Sequence, residues 1–242
     1  MDQTVLPKGR ALIDVYLEIS LVSGNVFKPF SIAPDLWYGV SDDITVGLVH
    51  SVAGETGFIG GTGSALCLSG SDVCKVYNNV GADLRYKLKA GTFSWAVDSG
   101  LFFDELSPDV FLDLKLGVLG RWHKDKVSLE LQPALFFGLT NRTQDVTVGG
   151  VTSTVTVNGD VLSVPVTGLY ALTPKIAAAL QIGLVLPFED TSNTYAVPLS
   201  IGVHFLATEH FLLNAAFSLN RLIANGGGAD DRSLTIGGSY AL

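Results

Sequence analysis

The chain is predicted to fold as an all-β protein, a transmembrane up-and-down antiparallel β-barrel of about twelve strands. Three observations carry that prediction. Large apolar residues alternate with small or polar ones along repeated stretches, which is the period-two signature of a strand with two different surroundings. These stretches match the roughly nine to eleven tilted residues that a strand needs to cross the hydrocarbon core of a bilayer. Hydrophobic residues make up 48% of the 242 positions and charged residues only 16%. Yet no unbroken apolar run approaches the roughly eighteen residues of a membrane helix.

The first strand, 11–21, shows the pattern: Ala11, Ile13, Val15, Leu17, Ile19 and Leu21 share one face, while Leu12, Asp14, Tyr16, Glu18 and Ser20 share the other. A loop near 23–29 leads to a strand at 32–40, and Ser41-Asp42-Asp43 turns the chain into 44–50. The long segment 52–75 is expected outside the wall as an external loop. Strands follow at 79–88 and 93–103, joined by Lys89-Ala90-Gly91, then at 110–122 and 127–139 across a turn at 123–126. A second long loop, 140–160, holds two short alternating runs that extend a hairpin beyond the membrane. Strands at 162–172 and 176–188 are joined by Thr173-Pro174-Lys175. The last three lie at 195–205, 211–220 and 233–242, with a turn at 207–210 and a Gly-rich loop at 225–231. Pro133, Pro165 and Pro198 fall within these strands, and each removes a ladder donor, so bulges or strand ends are expected there.

Connections after even-numbered strands are short, and those after odd-numbered strands are longer. Short periplasmic turns and long extracellular loops produce that asymmetry. Residues 1–10 then form a short periplasmic segment, and 11–242 a single barrel domain. Residues 1–10 lack the apolar core of a signal peptide, so the native export signal is expected to be missing from this sequence. Cys67 and Cys74 lie close together in Gly/Ser-rich sequence, and a small disulfide ring in a surface loop is expected. Two cysteines without nearby histidines make a poor zinc site, and neither a metal nor a cofactor is expected.

The aromatic residues were not needed to draw the strands. Tyr38, Tyr86, Phe93, Trp95, Trp122, Tyr170, Phe205, Phe211 and Tyr240 share the apolar parity and collect at the short-turn end. Amphipathic rings gather where headgroups meet hydrocarbon. The opposite rim is thinner, with Phe137, Phe188 and Tyr195. In a soluble sandwich or lipocalin-like barrel the polar parity would face water. On the later strands that parity is nearly free of charge, as at Ala177, Ala179 and Gly183, which suits a barrel interior better.

The parity assigned to the interior collects Asp14, Glu18, Asp35, Asp83, Arg85, Lys87, Asp98, Asp113, Lys115, Arg121 and Glu130. Each is costly on a lipid face. All eleven come from the first seven strands, while later strands offer Gln181, Ser200, Asn214, Ser218 and Asn220. Two readings stay open. The charges line a narrow aqueous passage, whose seven acids against four bases favour small cations. Alternatively they pair across strands and, with inward Trp37, Phe102, Phe111 and Phe136, close the lumen. A net charge of −8 with no basic stripe excludes nucleic acid as a partner.

An enzyme is not expected. Nucleophilic catalysis needs Ser or Thr oriented by a base, and His50 and Ser51, as strand neighbours, point to opposite faces. No G-x-S-x-G elbow is present.

With these strands, girdle and inner charges, the chain resembles Gram-negative outer-membrane β-barrels, in particular twelve-stranded porin-like channels. The resemblance covers about 11–242. It implies an integral outer-membrane location, contact with membrane lipid and lipopolysaccharide, passive diffusion of small solutes, and insertion by the barrel-assembly machinery. That machinery reads a final strand often ending in an aromatic residue; here Leu234, Ile236, Gly238 and Tyr240 keep the alternation and Leu242 ends it. The alternatives are a closed barrel with a structural or surface-binding role and, further off, a lipid-modifying enzyme.

Overall fold

Period-two alternation becomes a closed wall. A computed structural model describes residues 4–62, 66–69, 77–106, 109–149, 151–189, 191–224, 228 and 230–242. In chain order the elements are β1 (Ala11–Ser20), β2 (Phe30–Gly39), β3 (Ile44–Val49), α1 (Val52–Thr56), β4 (Leu66–Ser69), β5 (Val80–Lys89) and β6 (Phe93–Glu105). Next come β7 (Phe111–Lys124), β8 (Val127–Leu131), β9 (Ala134–Gly138), β10 (Thr143–Val148), β11 (Val151–Thr156) and β12 (Val161–Ala171). The chain ends with β13 (Ile176–Pro187), α2 (Thr191–Thr194), β14 (Ala196–Leu206), β15 (Phe211–Ala224) and β16 (Arg232–Ala241).

The described residues form twelve staves, with β8 and β9 sharing one. Neighbours pair antiparallel all the way round. Closure is made by β1, which pairs with β2 on one side and with β16 on the other. No stave on this circuit keeps an open edge, which is the condition for a sheet to stand in hydrocarbon.

The sides are unambiguous. On β13 the adjacent residues Leu180 and Gln181 are 54% and 1% exposed. Apolar side chains such as Leu36, Leu84, Ile201 and Ile236 face outward, whereas Asp14, Asp35, Asp98 and Lys115 are buried inside. Outward aromatic residues Tyr38, Tyr86, Phe93, Tyr170, Phe205 and Tyr240 stand exposed near the turns at 40–43, 90–92, 172–175 and 207–210. That rim is called the short-turn end below, and the opposite rim the long-loop end.

The prolines concentrate their damage. Pro133 lies in the gap between β8 and β9, and Pro165 on β12 sits opposite that gap, since β12 pairs with Leu131 below it and with Ala134 above. Two missing donors therefore share one interruption, bridged by Gln132 N–H to the Pro165 carbonyl at 3.2 Å and Val118 N–H to the Pro133 carbonyl at 3.0 Å. At Pro198 the register between β14 and β15 shifts. The hairpin β10–β11 pairs only with itself and stands off the wall. Arg142 anchors its base to Asp160 at 2.8 Å and to Glu189 at 3.0 Å, and this guanidinium holds the Asp160 carboxyl below the usual carboxylate range.

One expectation changes. The segment 52–75, expected as an external loop, turns inward over residues 50–62 and returns to the wall only at β4, which pairs with the upper part of β2 above the end of β3. Residues 4–9 form a strap: Thr4 and Val5 are buried, Leu6 N–H donates to Thr45 Oγ1 at 2.7 Å, and Gly9 N–H donates to the Gly39 carbonyl at 2.8 Å. This strap lies inside the short-turn mouth. Cys67 sits on β4, while Cys74, and with it the expected disulfide, lies outside the described residues.

If the outward face meets lipid, Leu180→Arg should destabilise the barrel by about 2–4 kcal/mol when the site lies near the bilayer midplane. Reversible unfolding in lipid vesicles, followed by tryptophan fluorescence, measures this. An unchanged midpoint would show that the face is not in hydrocarbon.

Candidate functional site

The inward turn of the chain is built around one carboxylate. Asp35, on the interior parity of β2, accepts His50 N–H at 2.7 Å and Ser51 N–H at 2.9 Å on Oδ1, and the Ser51 hydroxyl at 2.5 Å on Oδ2. Ser51 Oγ in turn accepts Gly54 N–H at 2.8 Å and so caps α1. A serine N-cap satisfies one of the donors that a helix leaves orphaned. Gly57, at φ 78°, ends the helix in the left-handed conformation that a side chain resists. Ser51 and Gly57 were therefore helix-boundary signals legible in the sequence. What they could not show is that the helix lies inside the barrel.

Beyond Gly57 the segment spans the lumen. Val52 N–H donates to Glu18 Oε1 on β1 at 3.3 Å. Ile59 N–H donates to Gln181 Oε1 on β13 at 2.8 Å, and the Gln181 amide returns a bond to the Gly57 carbonyl at 2.8 Å. Thr235 on β16 donates to the Ile59 carbonyl at 3.0 Å. A peptide segment inside a barrel must have its backbone groups met, and uncharged wall residues do much of this here. The loop-binding roles of Gln181 and Thr235 and the inward placement of Glu55 emerge only from the structure, because they depend on contacts far away in sequence.

The predicted inner charges fall into separate groups. Lys115, fully buried, contacts Asp83 at 2.9 Å and Asp98 at 2.8 Å. Asp98 also receives Gln132 Nε2 at 2.9 Å and Arg85 Nε at 3.4 Å. The Arg85 guanidinium lies over the Trp37 ring, 3.9 Å from its centroid. Gly47 opposite Trp37 leaves room for the indole, since a Cβ there would sit 2.5 Å from it. Arg121 pairs with Glu130 at 2.5 Å, and Lys87 pairs with Asp43 at 2.6 Å at the short-turn rim. Glu18 and Asp35 hold the inward loop. Asp113 is buried with its Oδ1 unpartnered, and Glu55 is buried on α1. Trp37, Phe102 and Val49 form a buried apolar cluster against which Leu6 and Leu12 pack.

Between the inward loop and the short-turn end a cavity of about 560 Å³ remains. Asp14, Asp35, Arg85, Arg121 and Glu130 face it from one side, and Gln181, His204 and Asn214 from the other. Charged and neutral walls confront each other, and the floor reaches the turn residues Thr92 and Pro174.

His50 and Ser51 do not form a nucleophilic pair. The His50 ring bonds the Pro34 carbonyl through Nδ1 and Tyr77 Oη through Nε2 at 2.7 Å, while Ser51 Oγ is buried between Asp35 and Gly54.

No family model matches the sequence, and no curated protein does. Solved structures do. The fold is similar to that of the NanC porin, with TM-score 0.63 and 13% identity, covering 95% of this chain and 100% of that one. It is also similar to the KdgM porin, solved in complex with disordered oligogalacturonate, with TM-score 0.56 and 9% identity over 95% of this chain and 98% of that one. Identity this low carries the architecture and nothing finer. The chain has the closed twelve-stave barrel fold of outer-membrane porins.

Proposed function

We propose that this protein is an outer-membrane channel for passive diffusion of small solutes, with its bore set by residues 50–62 and a weak preference for cations. The observation that carries this reading is the inward loop itself. It is bonded to β1, β2, β13 and β16 and borders a polar cavity where a packed apolar core would otherwise be expected. Barrels of about eight strands fill their interior with wall side chains, and those of about sixteen to eighteen leave a wide channel. Twelve staves fall between, and a segment laid across the lumen narrows what the wall leaves open.

In this reading the short turns face the periplasm and the long loops the exterior, while lipid and lipopolysaccharide cover the apolar band. The assembly machinery reads the final strand. Cation preference follows from position: Glu18 accepts a loop amide, Glu55 lies on α1 itself and Asp113 carries a buried unpartnered oxygen, while the cation Lys115 is committed to Asp83 and Asp98. Rings of acidic groups select cations in pores. Asp14, Asp35, Asp83, Arg85, Lys87, Asp98, Arg121 and Glu130 complete the charged wall and give it a transverse field.

A second reading has one observation in its favour. The loop and the strap at 4–9 both occupy the lumen, which suits a closed barrel with a structural or surface-binding role.

Planar-bilayer recording separates the two. Discrete ohmic steps with cation-selective reversal potentials are expected, and silent insertion of folded protein would overturn the channel in favour of the closed barrel. Replacing residues 53–60 by a short Gly/Ser link should raise single-channel conductance severalfold; unchanged steps would show that the loop is not the constriction. Asp35→Ala leaves three donors without their acceptor, each worth about 1–3 kcal/mol when buried and unmet. A lowered unfolding midpoint and enlarged, noisier openings are expected, whereas wild-type values of both would rule out Asp35 as the anchor.

A further inference from the structure

The short-turn end divides into two arcs of unlike charge. Strands β5, β6, β7, β8, β12 and β13 follow one another around the ring, and their short turns lie at 90–92, 125–126 and 172–175. On or beside these turns stand Lys89, Lys124, Lys126 and Lys175, all exposed. Asp125 is the one acid among them. Four lysines against one aspartate leave an excess of three positive charges on this arc, in a chain whose net charge is −8. None of the four is in an ion pair with a described residue. The rest of the rim is balanced: Asp42, Asp43 and Glu209 stand against Lys8, Arg10 and Lys87, and Lys87 pairs with Asp43 at 2.6 Å. Exposed acids gather at the opposite end instead, as at Asp109, Asp145, Glu189 and Asp230.

The arc stands just beyond the aromatic girdle. Tyr86 precedes Lys89 on β5, Trp122 precedes Lys124 on β7, and Tyr170 precedes the turn that carries Lys175. A tilted strand climbs roughly 2.5 Å per residue along the barrel axis. The polar headgroup layer is roughly 5–7 Å deep on each side of a bilayer. Two or three positions past a girdle ring therefore bring a lysine into that layer. The rings below form a continuous belt: Phe93 stacks on Trp95 with centroids 5.4 Å apart and lies opposite Trp122 in register. The turns are tied to their neighbours, since Ala171 N–H donates to the Lys126 carbonyl and Leu206 N–H to the Lys175 carbonyl, each at 2.8 Å. The backbone thus holds the ammonium groups over the rings on one side of the barrel.

We propose that Lys89, Lys124, Lys126 and Lys175 form a docking surface for the headgroups of anionic phospholipids in the leaflet at the short-turn end. The proposal needs a barrel in a bilayer, not an open channel. Ammonium groups meet the lipid phosphates while the rings beneath meet the boundary between headgroup and acyl chain. A zwitterionic headgroup offers the same phosphate, but its own cation is repelled by the uncompensated lysines. Each lysine near an anionic surface contributes roughly a fivefold gain in affinity, weakened by salt. Anionic lipid then collects along one arc of the barrel rather than evenly around it.

Tryptophan emission tests the arc, because Trp95 and Trp122 lie beneath it. The folded protein is placed in phosphatidylcholine vesicles containing a minor fraction of pyrene-labelled lipid. At low salt, labelled phosphatidylglycerol should quench the wild type at a severalfold lower mole fraction than labelled phosphatidylcholine. About 1 M salt should bring the two curves together. In the quadruple variant Lys89→Gln, Lys124→Gln, Lys126→Gln and Lys175→Gln they should coincide at low salt as well. The double variant Lys8→Gln and Arg10→Gln, on the balanced arc, should keep them apart. Coincident wild-type curves, or a separation that outlasts salt, overturn the proposal even if the quadruple variant does not insert. A separation lost with Lys8 and Arg10 but kept without the four lysines overturns it too. Silent planar bilayers would remove the channel and leave this lipid preference standing.

Discussion

In hydrocarbon no water is available to the peptide group, and everything in this molecule depends on satisfying that constraint by closing the ladder. The junction of β1 with β16 does so, giving β1 hydrogen-bonded partners on both sides. Once the sheet is closed, its two faces have no common environment. One must be compatible with lipid, and the other is free to be polar. The alternation of Leu180 with Gln181, or of Leu84 with Arg85, is the local expression of a global topological fact. The prolines respect it too, because Pro133 and Pro165 place their missing donors at one gap rather than two.

Closure creates a second problem, since twelve staves enclose more polar space than their own side chains occupy. The chain answers by folding part of itself inward. Asp35 is decisive because one carboxylate takes the backbone of His50 and Ser51 and the hydroxyl that caps α1. A buried carboxylate with several donors is well compensated, and here the donors are the very groups whose direction sets the path of the loop. The strap at 4–9 does the same at the other mouth with fewer bonds, using Thr45 and the edge of β2 near Gly39.

The wall was legible in the sequence and the contents of the lumen were not, for a physical reason. Strand alternation is a local property with a period of two, so Ala11 through Leu21 announces its faces without reference to any other part of the chain. The girdle of Tyr38, Tyr86, Tyr170 and Tyr240 follows from the same parity. Residues 50–62 carry no such period. Their placement is decided by Glu18, Asp35, Gln181 and Thr235, which lie up to 176 positions away in sequence. A Gly-rich stretch reads equally well as an external loop or as a segment threaded through a crowded interior. Which of the eleven inner charges anchor the loop, join the buried ion-pair network or border the cavity depends on which strands become neighbours. Asp104 shows the limit most clearly: it lies past the strand expected at 93–103 and instead falls within β6.

The inward segment also has a mechanical meaning. It is attached to β2 through Asp35 and, on the far side of the ring, to β12 through Ser163 and to β13 through Gln181, with β1 and its neighbour β16 holding it in between. A flexible hoop under lateral pressure flattens toward an ellipse, and an ellipse encloses less area than a circle of the same perimeter. A strut pinned across the hoop resists that flattening, so the same peptide that obstructs the tube also keeps it round as the surrounding bilayer squeezes.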